Sequence, residues 1–219
     1  MKALVAGATG QTGRRIVQEL VKRGIAVRAL VRDAEAARSM LPTEAELVVG
    51  DVLQPATLTA ALKDCTVLLC ATGAKPGFDP TGPYKVDYEG TQNLVDAAKT
   101  AGIEHFVLVT SLCTSQFFHP LNLFFLILVW KKRAEEYLQQ SGLTYTIVRP
   151  GGLLNDENAD SVVMSGADTL SDGRIPRTKV AQTCVEALFQ SSARNKIVEI
   201  VAKPDAPAKT YEELFVGVG

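Results

Sequence analysis

Residues 4–13 read LVAGATGQTG, and the change of pattern inside them decides the fold. Leu4, Val5 and Ala6 form a short apolar run. Gly7, Gly10 and Gly13 then follow at three-residue intervals, with Ala8, Thr9, Gln11 and Thr12 between them, and a helical periodicity begins near Arg14. A strand that turns through glycines into a helix leaves backbone N–H groups without partners, with the positive end of the helix dipole behind them. Such a turn seats a phosphate. Gly7 suits the tight turn out of the strand, Gly10 lacks the Cβ that would hold a diphosphate off the backbone, and Gly13 lets the helix close on the strand. Glycines alone make many plain turns, so the flanking pattern has to carry the reading.

The flanks support it. Ile16, Val17, Leu20 and Val21 form one stripe of a helix, and Gly24 marks its end. Ala26 to Val31 is a second apolar run, so the opening segment spells strand, glycine turn, helix, strand, the pattern of a right-handed βαβ crossover. Arg32 and Asp33 follow directly, where the adenosine ribose of a dinucleotide lies in such a unit. An acidic side chain there accepts from a free 2′-hydroxyl, whereas a guanidinium pairs with a 2′-phosphate. Arg32 stands nearer the strand end, which favours NADP over NAD, with Arg14 as a second phosphate partner. The plainer reading leaves Arg32 as a solvated arginine paired with Asp33.

The alternation continues along the chain. Ala34 to Met40 is expected as a short helix and Leu47 to Val49 as a third strand ending at Gly50-Asp51-Val52. Asp51 can accept from an adenine amino group while Val52 packs on the ring, or Asp51 simply turns the chain. Pro55 opens a helix to about Leu62. Thr66 to Cys70 is continuously apolar, as in a parallel strand covered on both faces, and ends in Ala71-Thr72-Gly73-Ala74, small residues past which a cofactor can cross the sheet edge. Lys75 to Pro83, rich in proline and glycine, reads as a loop over the site. A helix from Asp87 to Thr100 and a fifth strand from His105 to Val109 come next, with His105 facing water at the strand's start and Ser111 at its close, where a hydroxyl can reach a substrate oxygen.

Phe117 to Trp130 is the most apolar part of the chain, but His119-Pro120 interrupts it and a membrane-spanning helix needs about 20 apolar residues. A helix buried between sheet and neighbour, or a homodimer seam in a chain otherwise monomeric, is expected. The alternative is a docking face around Phe124 to Trp130 for a protein partner or a membrane surface. The helix runs on past Leu138 to Gly142, Thr144 to Val148 is a sixth strand, and Arg149-Pro150-Gly151-Gly152-Leu153 leaves it with glycines that let backbone approach a carboxamide. Asn155 to Asp172 reads as a mobile loop capping the site. A helix over Val180 to Gln190, a strand over Ile197 to Val201 and a terminal helical turn over Thr210 to Phe215 complete the chain. The expected architecture is one α/β domain, a doubly wound parallel sheet of about seven strands with helices on both faces, whose part from residue 151 onward forms the substrate-side lobe.

Bulk properties narrow the function classes. The 219 residues suffice for one domain and not for two ordinary ones. With 23 basic and 24 acidic residues the net charge is −1, which gives no electrostatic case for nucleic acid. Cys65, Cys70, Cys113 and Cys184 show neither C-x-x-C nor zinc spacing, so reduced, buried thiols and no metal site are expected. Met1-Lys2 leads straight into the first strand without room for a signal peptide, and a cytoplasmic protein is expected.

GATGQTG at 7–13, LVRD at 30–33, GDV at 50–52, ATGA at 71–74 and YTIVRPGGL at 145–153 together resemble the atypical, NmrA-like short-chain dehydrogenases/reductases over nearly the whole chain. Within that group, WKKRAEEYLQQSGLTYTIVRPGGL at 130–153 is similar to the dehydrogenase-like Tic subunits of the chloroplast inner envelope and their cyanobacterial relatives. The resemblance implies a Rossmann fold and NADP(H), held by Gly7, Thr9, Gly10, Gln11, Thr12, Gly13, Arg32, Asp51, Val52, Ala71, Thr72, Gly73, Ala74, Lys131, Pro150, Gly151 and Gly152. It does not extend to the long C-terminal segment with which the plant subunit recruits ferredoxin-NADP reductase, so no tethering role is expected of a chain ending at Gly219.

One departure bears on chemistry. Typical members place a Tyr four residues before a Lys on the long helix, so that the cation eases proton transfer from the phenol. Here Ile127 precedes Lys131 and Leu128 precedes Lys132 at that spacing. Ser111 and Lys131 match the remaining catalytic positions, Lys131 as a grip on the nicotinamide ribose. Relatives without the Tyr include flavin and quinone reductases and redox sensors. The resemblance thus implies hydride transfer from NADPH to a flat small-molecule acceptor, or an NADP(H) sensor that reports to a partner.

Overall fold

Alternating side chains on the first strand found two cores, one on each face of a sheet. In the computed structural model, which describes residues 1–74 and 79–218, Ala3 and Val5 of β1 (Lys2–Ala6) join one buried cluster and Leu4 and Ala6 the other. β1 lies parallel between β2 (Ala26–Val31) and β4 (Val67–Cys70), with Leu4 opposite both Arg28 and Leu68. β3 (Glu46–Val49), β5 (His105–Val109), β6 (Tyr145–Pro150) and β10 (Lys196–Lys203) extend the parallel pairing to seven strands in the order β3-β2-β1-β4-β5-β6-β10. The order reverses between β1 and β4, and the crevice at such a reversal is where ligands bind in open α/β sheets.

Helices cover both faces. Ile16, Val17 and Leu20 of α1 (Gly13–Lys22) pack with Val180 and Cys184 of α6 (Arg177–Glu186) on one side. Leu58 and Leu62 of α3 (Pro55–Leu62), Leu94 and Val95 of α4 (Gly90–Ala101) and Leu138 of α5 (Ile127–Gln140) fill the other. Helix α1 ends as its glycine predicts, with Gly24 at φ +69° and the Ile25 N–H bonded back to Leu20 O at 3.0 Å. The short α2 (Ala34–Arg38) and the terminal α7 (Tyr211–Val216), closed by a Thr210–Glu213 capping box, complete the helices. All four cysteines are buried and unbridged.

Four expectations need correction. The segment read as a mobile loop contains β8 (Ser161–Gly166), antiparallel to β10, and the sheet gains two further short strands, β7 (Gly152–Leu154) and β9 (Arg174–Pro176), for ten among the described residues. His105 does not face water. It is 4% exposed, its Nε2 lies 2.9 Å from Thr146 Oγ1, and burial with the nearby Arg194 charge lowers its pKa to about 4. The Thr146 hydroxyl donates to Ala193 O at 2.7 Å, so its oxygen accepts from the imidazole.

The apolar stretch is the third. No helix runs from Phe117; α5 starts only at Ile127, after a 3-10 turn at Pro120–Leu123 and two residues, Phe125 and Leu126, at φ +55° and +59°. Asn122, the single polar residue between Leu121 and Trp130, is buried and organises the bend. Its Nδ2 donates to Phe117 O at 2.9 Å and its Oδ1 accepts from Leu128 N at 2.9 Å, at the first turn of α5. The result exposes what the composition would bury: Phe118 is 95% and Leu123 85% exposed, with Phe117, Leu121, Phe124, Phe125 and Leu126 also exposed. Leu128 turns into the core, and Trp130, partly buried, lies edge-on to Tyr84 at 5.0 Å. The helix expected from Asp87 begins earlier, as a π-helical segment at Pro83–Glu89, and becomes α4 at Gly90, where a Cβ would meet Val52 Cγ2 at 2.7 Å. No helix of the described residues is long and apolar enough to cross a membrane.

Candidate functional site

The glycine turn closes on backbone. Gly7 sits at φ +76°, and a Cβ there would lie 2.6 Å from Ala71 O; a Cβ on Gly13 would collide with Gly7 O. These contacts, and not only the turn itself, are why both positions need glycine. The Gly10 N–H closes the turn onto Gly7 O at 2.9 Å and is therefore spent, while its Cα faces only Gly7 O. The amides of Gln11, Thr12 and Gly13 have no acceptor among the described residues. Three bare donors at the start of α1 match an anionic diphosphate.

Outward from the turn, a cavity of about 360 Å³ follows the carboxyl ends of β1, β2, β3 and β4. Gly7, Thr9, Gly10, Arg32, Asp51, Val52 and the run Ala71 to Ala74 all line it, together with Asp79 and Gly82. Ten of the residues expected to hold a dinucleotide thus face one crevice. The loop reading of 75–83 lies partly outside the described residues, at 75–78. Asp51 turns the chain, one oxygen accepting from Leu53 N at 2.9 Å, and the residue lines the crevice. Arg32 and Asp33 do not pair with each other. Asp33 caps α2, accepting from Ala36 N at 3.1 Å, and Arg32 has no hydrogen bond or ion pair among the described residues. Arg14 bonds Gln11 Oε1 instead of facing the crevice.

A second cavity of about 400 Å³ opens at the ends of β5 and β6. Ser111 lines it, with Pro150, Gly151 and Gly152, and with Cys113, His119, Asp172 and Arg177, none of which the sequence reading placed here. The Gly151-Gly152 pair is required by protein as much as by any ligand, since a Cβ on Gly151 would lie 2.5 Å from Gly173 O. Both cavities open on the carboxyl edge of the same sheet.

A family model described as NAD(P)H-binding matches residues 7–191. The chain belongs to that family. It is 48% identical to an uncharacterised chloroplastic protein of Arabidopsis thaliana, over 99% of this chain and 82% of the relative. It is 39% identical to the chloroplastic protein TIC 62 of Pisum sativum, over 98% of this chain but only 45% of that one, so the chain spans less than half of the TIC 62 length. Sanguinarine reductase of Eschscholzia californica is 31% identical, over 98% of this chain and 95% of the enzyme. Among solved structures, a putative NAD-dependent epimerase/dehydratase from Bacillus halodurans superposes with a TM-score of 0.87 at 27% identity, over 99% of both chains. The Rossmann fold and the NmrA-like resemblance stand on these matches.

In this NAD(P)H-binding chain, Lys131 and Ser111 do not meet in one cavity. Lys131 Nζ is paired with Asp87 Oδ1 at 2.5 Å, and Asp87 Oδ2 accepts from Ala74 N at 3.1 Å. The lysine therefore braces the small-residue turn after β4, and a Cβ at Gly73 would lie 4.0 Å from its Nζ. His119, read from sequence only as a break, has its Nδ1 3.2 Å from the Leu121 N–H and accepts from it. That bond leaves Nε2 as the protonated nitrogen of the neutral ring.

The wall of the second cavity hangs on a buried ion cluster. Arg149, fully buried, makes a fork to Glu135, Nε to Oε1 at 3.0 Å and Nη2 to Oε2 at 2.7 Å, and reaches Asp168 at 2.8 Å and Glu199 at 3.2 Å through Nη1. Glu199 accepts from the backbone N–H groups of Asp168, Thr169 and Leu170 at 2.9, 3.0 and 2.7 Å. Thr110, beside Ser111, donates to Glu135 at 2.6 Å. Burial works against the charge of Arg149, and its bonds to Glu135 and Asp168 outweigh that and raise its pKa. Burial likewise opposes the Asp168 charge, but hydrogen bonds from Ser115 and Arg149 hold that carboxyl below its usual range. Asp168, held by the cluster, sits at φ +62°, and residues 171–173 just beyond it line the cavity. Nothing in local sequence pointed to it; the only signal was three charged residues at positions whose neighbours are core.

Proposed function

We propose that the chain is an NADP(H)-dependent oxidoreductase that passes hydride to a flat acceptor, such as a quinone, a flavin or a dye, held in the cavity beside Ser111 and Gly152. The observation that carries this reading is the pairing of a dinucleotide-shaped crevice with a second cavity on the same sheet edge, in a helix that lacks the usual Tyr. The cofactor, when bound, supplies the hydride. The chain's own part is positioning: bare amides of Gln11 to Gly13 for the diphosphate, Arg32 for the 2′-phosphate, and Ser111 and His119 as donors to an acceptor oxygen or nitrogen. Lys131 acts through Asp87 and Ala74 on the cofactor-side turn. The residues from 151 onward serve as the acceptor-side lobe. The likeness to sanguinarine reductase supports a reductase; the Arg32–Asp33 geometry supports NADP.

A panel of quinones and flavins with NADPH, followed at the nicotinamide absorbance, tests the reading. Turnover is expected in the wild type and in Ser111→Ala at reduced rate, and is lost in Gly10→Asp, whose carboxylate would meet the diphosphate. The same variant should weaken NADPH at least 100-fold by calorimetry, about 2.7 kcal/mol. The exposed aliphatic and aromatic run at 117–126 supports a second reading, an NADP(H)-dependent scaffold whose protein partner covers that face. Absence of turnover with every acceptor, together with a partner affinity that differs between NADPH and NADP, would favour it.

A further inference from the structure

Arg177 opens α6 and is the one guanidinium in the second cavity. Its Nη1 donates to Thr12 Oγ1 at 3.0 Å and its Nε to Asn155 Oδ1 at 3.0 Å, both neutral acceptors. Its Nη2 has no hydrogen-bond partner among the described residues and is not fully buried, and the residue lines the cavity. No ion pair of the described residues includes it, although Asp172 lines the same cavity. Burial together with Arg15 and Arg14 lowers its pKa, so its electrostatic neighbours are cations. A half-buried cation fixed by two neutral acceptors, with one fork nitrogen left over, is arranged for an anionic oxygen.

We propose that Arg177 binds an anionic substituent of the acceptor, so that the cavity selects flat acceptors bearing a carboxylate. The inference rests on the acceptor-site reading above. Two observations support the acceptor as the source of the anion. Arg177 lines the cavity of Ser111 and His119 and not the dinucleotide crevice. Its Nη1 is taken up by Thr12 of the phosphate turn, which leaves Nη2 as the free nitrogen of the fork. Ser111 and His119 then meet the reducible end of the acceptor, and Arg177 the charged end. The nucleotide diphosphate offers the same anionic chemistry, and the test separates the two sources.

A naphthoquinone and its carboxylated counterpart form the probe pair, each assayed with NADPH and each titrated calorimetrically into protein saturated with NADP. The wild type is expected to prefer the carboxylated compound at least tenfold in kcat/KM. Arg177→Gln should raise KM for that compound tenfold or more with kcat little changed, and leave the neutral quinone and NADPH itself within twofold; Arg177→Lys should restore part of the preference. Equal handling of the two quinones by the wild type overturns the proposal whatever the variants do, even where Arg177→Gln fails to fold. Parallel loss for both quinones in Arg177→Gln also overturns it. A tenfold loss of NADPH affinity in that variant assigns the guanidinium to the diphosphate instead and overturns it as well. Should neither quinone turn over, carboxylate-selective binding that depends on Arg177 would sustain the anion site while the hydride-transfer reading falls, and absence of such binding would sink both.

Discussion

The two cavities sit on one sheet edge and are built by opposite means. The dinucleotide crevice is made of backbone and small residues at the ends of strands β1 to β4, and its shape follows from where glycine lets main chain touch main chain. The second cavity is assembled from segments around 110, 119, 150, 172 and 177, and behind it buried Arg149 is paired with buried Glu135 and Glu199 and with the half-exposed Asp168. Backbone contacts are insensitive to charge and acid, whereas a buried ion cluster depends on every member. One half should therefore tolerate electrostatic insult and the other should not.

The sharpest way to break this contrast is Arg149→Met. Removing the guanidinium leaves Glu135 and Glu199 fully buried without their counter-charge, and loss of one partner from such a cluster costs about 3–5 kcal/mol. Urea denaturation should show that loss, and the acceptor wall should loosen with it. NADPH affinity, measured on the folded fraction at low temperature, should change less than threefold because no crevice residue touches the cluster. A destabilisation below about 1 kcal/mol, or an equal loss of nucleotide, would show that the halves are not built differently.

The same contrast governs what could be read from sequence. Strand, glycine turn and helix at the start of the chain are one local pattern, so Gly7, Gly13 and the crevice residues 71–74 were legible in order. Arg149 meets Glu135 and Glu199 across 14 and 50 residues of chain, and no periodicity encodes such a meeting. Strand β8 was missed because SVVMSG is short and half-buried, and it is a strand only through its partner β10, some 30 residues on. The exposure of Phe118 and Leu123 defeats composition altogether, since it follows from Asn122 bending the chain before α5. His119 and Arg177 reached the second cavity for the same reason: tertiary placement, not local pattern, puts them there.

A milder insult sharpens the comparison at the opposite edge of the sheet. His105 is buried and neutral at the start of β5, with a pKa near 4 against 6.5 when unfolded, so the unfolded chain binds the extra proton. Its contribution is complete above about pH 6.5 and is lost as pH falls toward 4. Between pH 7 and pH 5 the expected loss is about 2 kcal/mol. Asp168 adds to the decline only lower, because its depressed carboxyl holds its proton-free form until pH falls past the usual aspartate range. Denaturation curves for wild type and His105→Gln should therefore diverge at neutral pH and converge toward pH 5. A wild-type profile flat over that interval would mean that the imidazole can charge where it sits.

The smallest expected effect concerns the one place where charge does matter in the crevice. Arg32 is exposed, so its bond to a 2′-phosphate works in water and is screened by salt. A charge-assisted pair there is worth roughly 1.5–2 kcal/mol, and Arg32→Ala should weaken NADPH by about 10- to 30-fold at low salt. NADH should shift less than twofold, because the amides at Gln11 to Gly13 and the small residues at 71–74 are untouched. Asp33→Ala is the matching control. It removes the α2 cap, at a cost of about 1 kcal/mol in stability, without altering nucleotide preference, since the carboxylate already serves Ala36. If NADPH and NADH fell together in Arg32→Ala, the guanidinium would be holding the part common to both nucleotides. The crevice would then depend on charge as the second cavity does, and the division between a backbone half and an ionic half would fail where it is most easily measured.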